Sequence, residues 1–316
     1  MNSTSRDFVP GAGLLLALLA AWTAATAADT DPSETFERNL PHIKAALNAQ
    51  GDADSLAAAA TFDDYEAALT VLARAVEQAP DRPYILWLEL ASCARIPACD
   101  PEPYAAALHR VDPDNGAAWA ALLDRAHQRG DLNAEARYVK ALGASKRYDI
   151  YWNVAIARMS HALLNVRAGD AQTVLTGVIG RVSAVAILPY KNISMACKLP
   201  ALDEPGRRDD CRGVAAAMRN GDSYITEMVG IAIAKRAWPE DSADYAAAVA
   251  AGRLGKYRMT TEAALPMTQG SAESAQRYLE LLQAHRSEQE VASAILSAAG
   301  KEVSPPTDWK ESPRLP

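Results

Sequence analysis

Alanine fills 66 of the 316 positions and phenylalanine only 3. Alanine loses no side-chain entropy on entering a helix, whereas sheets draw on the β-branched and aromatic residues that cover a pleated surface. The expected fold class is therefore all-α. Apolar residues recur at helical spacing to match. Tyr65, Ala68, Leu69, Leu72, Val76 and Ala79 share one face, Trp119, Leu122, Leu123 and Ala126 a second, and Val291, Ala294, Ile295 and Ala298 a third.

Punctuation divides these helices. Gly-Asp occurs at 51, 130, 169 and 221, joining a residue suited to a left-handed helix stop to one that can cap the next helix. The three intervals are 79, 39 and 52 residues, and 39 and 79 suggest helical hairpins repeated in series. Asp222 is read as the cap of the helix that follows it. Asp100-Pro101 and the Ser287/Glu290 capping box mark further starts, and Gly300 a final stop. Beyond Gly300, four prolines fall in residues 301–316 with little to bury, so that stretch is expected to be a disordered tail.

The N-terminus carries a targeting pattern. Arg6 precedes an apolar run from Gly11 to Trp22, and Ala25-Thr26-Ala27 supplies small residues for cleavage before Ala28, so residues 1–27 are expected to be a signal peptide. Export to the periplasm or secreted space follows. The apolar stretch from Val174 to Leu188 contains Arg181 and is short for a membrane span, so it is expected to be a buried helix. Cys93, Cys99, Cys197 and Cys211 are even in number, as disulfides in an oxidising compartment require. Three connectivities are open, and proximity favours Cys93 with Cys99 and Cys197 with Cys211. A four-thiolate zinc site fits less well, because the intervening segments lack the short knuckles of such sites.

The pattern Asp64-Tyr65-x-x-Ala68, then Ala75 and Pro80, resembles the second helix and terminal proline of a tetratricopeptide repeat. Pro113, Trp119, Leu122, Gly130-Asp131 and Ala134 to Ala136 resemble the start of another. This resemblance covers about residues 63–142. It departs from the family in the shortness of the segment between Pro103 and Pro113 and in a one-residue offset of the alanine after Gly130. It implies an α-solenoid over residues 28–300, a stack of antiparallel helix pairs with an inner face that takes a peptide or protein. Within it, residues 202–300 are a divergent continuation or a cap. Hairpins with one apolar stripe apiece must bury it against neighbours, so the bottom-up reading arrives at the same stack.

Familiar chemistries are missing from the chain. The five histidines lack metal-ligand spacing, and there is no nucleophile elbow, phosphate loop or dinucleotide fingerprint. No cofactor or metal is expected. The net charge of −7, without basic blocks, argues against nucleic acid. Two groups stand out as partner-binding candidates: Asp124, His127 and Gln128 on the first repeat-like helix, and the cluster Arg147, Tyr148, Tyr151 and Trp152, suited to stacking and cation–π contact. The expected function is non-enzymatic binding of a protein or peptide. The alternative is a cell-envelope hydrolase of glycan or peptide using carboxylates such as Glu204, Asp209, Asp210, Glu227, Glu240 or Asp241. Intact-mass measurement of exported protein is expected to begin at Ala28 and to lie about 4 Da below the fully reduced mass, and free thiols would contradict the redox argument.

Overall fold

A computed structural model describes residues 32–186, 189–265 and 270–311. Those residues form an all-α fold, in which the one pairing of β type is an isolated bridge between Asn115 and Arg147. The expected signal peptide, residues 1–27, lies outside them. Seven helices come first: α1 (Pro32–Gln50), α2 (Ala53–Ala60), α3 (Tyr65–Gln78), α4 (Pro83–Arg95), α5 (Glu102–Val111), α6 (Ala117–Arg129) and α7 (Leu132–Gly143). Each packs on the next. Their ends obey local chemistry. Gly51 and Gly130 are left-handed, at φ 70° and 67°, while Asp52, Asp64 and Asp131 accept amide hydrogens from the first turns of α2, α3 and α7.

The chain then doubles back. Helices α8 (Trp152–Asn165), α9 (Ala171–Ala186) and α10 (Pro189–Ala196) lead through a 3-10 turn (Ala201–Asp203) to α11 (Arg207–Arg219), α12 (Tyr224–Ala237), α13 (Ala243–Ala263), α14 (Ala272–Ala284) and α15 (Glu288–Ala298). Contacts here join elements distant in sequence: α8 packs on α2 and α14, α10 on α6, and α11 on α7. The α7–α11 crossing brings backbone onto backbone. A Cβ added at Gly213 would lie 2.3 Å from the Gly143 carbonyl oxygen, so only glycine fits. By length and composition alone, Ala171–Ala196 could cross a membrane. Here Val174, Leu175, Val178 and Val182 are buried, and α9 packs against α8 and α14.

The segment joining α7 to α8 is the crossroads. Asn115 donates to the Asp149 carbonyl and accepts from its amide, and Asn153 donates to the His285 carbonyl. Asp222 does not cap the helix that follows it, because Ser223 does. Its carboxylate turns inward, 2% exposed, and accepts from the amides of Ile150 at 3.0 Å and Trp152 at 2.8 Å. It therefore caps α8 from across the core. Gly221 permits this approach, since a Cβ there would stand 2.5 Å from the Tyr148 carbonyl oxygen.

The cysteines pair as proximity favours, Cys93 with Cys99 and Cys197 with Cys211. Closing loops of these lengths stabilises a fold by roughly 2 to 3 kcal/mol each. Of residues 301–316, those described, 301–311, lie along α13, where Trp309 packs edge-on against Tyr257. Replacing Asp222 with Ala is expected to destabilise the chain by roughly 1 to 3 kcal/mol for each amide left unpaired, with a smaller loss for Asp222→Asn. Urea unfolding measures both.

Candidate functional site

A cavity of roughly 400 Å³ opens between α4, α6 and α10. Trp87, Leu90, Ala121, Tyr148 and Ile150 supply its apolar lining. These residues reach one place because the α7–α8 connection passes under α4 and α6, so Tyr148 and Ile150 complete a wall begun by helices far earlier in the chain. Asp124, Arg125 and Gln128, together with Lys191 and Asn192 of α10, add polar groups. Gln128 donates to Asp124 at 2.7 Å, one turn apart on α6, and Asn192 donates to the same carboxylate from α10. Arg125 donates to the carbonyls of Ala94, Ile96 and Pro97, of which Ala94 and Pro97 line the same cavity. These carbonyls lie in the loop that Cys93–Cys99 closes, so the part of the cavity lining at Ala94 and Pro97 is held covalently and by a guanidinium at once.

The seven candidate residues from the sequence do not converge on one site. Asp124, Gln128 and Tyr148 meet at the cavity. His127 points to α7, where Nδ1 lies 3.0 Å from Glu135 Oε2. Arg147 pairs with Asp112 and Asp149, and the buried Tyr151 donates to Asp112 at 2.8 Å. Trp152 is buried too, and its side chain donates to Glu288. Within the described residues Arg147, Tyr151 and Trp152 are thus engaged with internal partners, while Tyr148 faces the cavity. The partners of these residues at 112, 115, 222 and 288 are remote in sequence.

A second group of interest is acidic. Glu262, Glu288, Glu227, Tyr224 and Tyr278 gather where α12, α13, α14 and α15 meet. Burial pushes the Glu262 carboxyl up to about 8, aided by the Glu288 charge. Burial likewise raises Glu288 to about 7, against hydrogen bonds from the Tyr224 amide and Trp152. Glu227 is raised by burial while accepting from Gln289 at 3.0 Å. The Tyr224 hydroxyl is buried without a hydrogen-bond partner among the described residues. Of the acids singled out from sequence, only Glu227 joins this group. Glu204 and Asp209 form ion pairs with arginines on α11, and Glu240 and Asp241 are exposed in the turn before α13. Glu262 and Glu288 left no sequence signal, because each reads as an ordinary charge at the end of a helix. Among the described residues, no group of three or more His, Cys, Asp or Glu is placed to hold a metal ion.

The raised carboxyls fix a pH dependence. Burial alone brings Glu89 to about 7, and burial also lifts Asp222 well above the usual carboxylate range. In the unfolded chain such groups release their protons at the ordinary value of 4.5 for glutamate. Between that pH and about 8 the folded chain holds more protons than the unfolded one, so stability falls as pH rises across the window. Melting temperature is expected to be higher at about pH 5.5 than at about pH 8.5, and Glu262→Gln to flatten the dependence; calorimetry across the range checks it.

No protein-family model, no curated protein and no solved structure matches this chain.

Proposed function

We propose that this protein is a non-enzymatic binding or scaffold protein of the periplasm or secreted space. In this reading its tetratricopeptide-like helical hairpins form an α-solenoid over residues 28–300 that holds a peptide or protein partner. The observation that carries this reading is the cavity between α4, α6 and α10, where apolar walls from Trp87, Tyr148 and Ile150 meet the polar Asp124 and Gln128. Such a mix suits an anchoring side chain flanked by hydrogen-bonding main chain. Two disulfides accord with an oxidising compartment.

A second reading, a cell-envelope hydrolase, draws on the raised carboxyls of Glu262 and Glu288 beside a Tyr224 hydroxyl that has no hydrogen-bond partner among the described residues. The two readings separate cleanly. Ala91 lines the cavity and is only half-buried, so Ala91→Trp is expected to fill it while leaving the helical signal and melting temperature nearly unchanged. Photo-crosslinking from position 128 in envelope extract should then capture a partner with the parent chain and lose it with Ala91→Trp. Equal capture by both removes the cavity reading. Turnover of an envelope glycan or peptide that Glu262→Gln abolishes establishes the second reading instead.

A further inference from the structure

The C-terminal stretch from residue 302 to 311 touches α13 in an unusual manner, mostly through its own carbonyl groups. Tyr257 Oη donates to the Glu302 carbonyl at 2.9 Å, and Arg258 Nε to that of Val303 at 3.2 Å. Arg253 Nη2 donates to two more, Pro306 at 3.3 Å and Trp309 at 2.9 Å. Only two side chains of the stretch make identified contacts with α13. Trp309 sits edge-on to Tyr257 with ring centroids 5.5 Å apart and beneath the Arg253 guanidinium, and Glu311 pairs with Lys256. Residues 301–306 have no regular secondary structure, and Pro305 and Pro306 favour an extended chain.

Carbonyl recognition is indifferent to sequence, because every residue has the same acceptor. Specificity here therefore rests on a proline-bearing extended backbone, an aromatic anchor and an acid two residues on. Aromatic-lined grooves are a known way of recognising extended proline-rich peptides. Beside Trp309 a cavity of roughly 460 Å³ remains between α12 and α13, lined by Met228, Ile231, Val249 and Met259, so the resident stretch does not fill the space available to it. Val249 is 43% exposed at its edge. Arg253, Lys256 and Arg258 present positive charge on the same stretch of helix, complementary to an acidic or carbonyl-rich ligand.

We propose that the α12–α13 surface is a binding site for extended, proline-containing peptides with an aromatic anchor followed by an acid, and that residues 302–311 are its resident ligand, displaced when a partner peptide of the same chemistry competes. This site is separate from the cavity between α4, α6 and α10 and does not depend on it. A tethered ligand acts at an effective concentration in the millimolar range, so the intact chain should bind such a peptide only weakly in trans.

The probe is a fluorescent peptide of residues 301–311, titrated into full-length protein and followed by anisotropy. Trp309→Ala and, separately, Glu311→Lys in the protein loosen the resident stretch and are expected to raise affinity for the probe by about tenfold or more. Adding Arg253→Ala to either variant should abolish the gain, and a probe with alanine in place of its tryptophan should not bind. Glu311 is exposed, so Glu311→Lys tests the idea even if Trp309→Ala fails to fold. Binding of the probe by Glu311→Lys no tighter than by the parent chain, or undiminished by Arg253→Ala, overturns the proposal.

Discussion

The paired acceptance of the Ile150 and Trp152 amides by Asp222 is the interaction on which the rest of this structure turns. The first turn of any helix leaves amides without intrahelical partners, and a buried helix start must find acceptors or lose stability. α8 starts in the interior, so its acceptor has to come from another element. The α11–α12 corner supplies it through Asp222, brought close by Gly221. Once that corner docks, Asp149 and Asn153 meet Arg286 and the His285 carbonyl, which seats α14 and α15. One carboxylate thereby aligns helices from the front and the back of the chain.

Alanine abundance makes this density of helices workable. Ala57 to Ala60 on α2 and Ala117, Ala118, Ala120 and Ala121 on α6 are buried, and small side chains let helix axes approach without the interdigitation larger residues require. At Gly143 and Gly213 even a methyl group is too large. Large residues enter where α9 threads the middle, its valines filling the gap between α8 and α14. The same composition that sets the fold class thus sets the spacing of the layers.

What could be read from the sequence was local. Asp52, Asp64 and Asp131 cap helices that begin within three residues of them, and the Ser287/Glu290 box closes as spelled. Cysteine pairs separated by 6 and 14 positions could be matched because short loops close readily. What could not be read depends on distant partners. Asp222 has the grammar of a cap, but its bonds reach residues some 70 positions away. The candidate site was half visible: Asp124 and Gln128 share a helical face one turn apart, whereas the Glu135 that draws His127 aside lies on the next helix. Glu262 and Glu288 acquire their character only when four helices converge on them.

The way Asp124 and Arg125 are held has a bearing on whatever enters the first cavity. Both ions are satisfied by neutral groups, the carboxylate by the amides of Gln128 and Asn192 and the guanidinium by three carbonyls. Hydrogen bonds from neutral partners steady an ion without discharging it. A negative and a positive pole therefore stand beside the same hollow, fixed in orientation by a helix and a staple. The field across the hollow thus has one fixed sense, from the Arg125 guanidinium towards the Asp124 carboxylate.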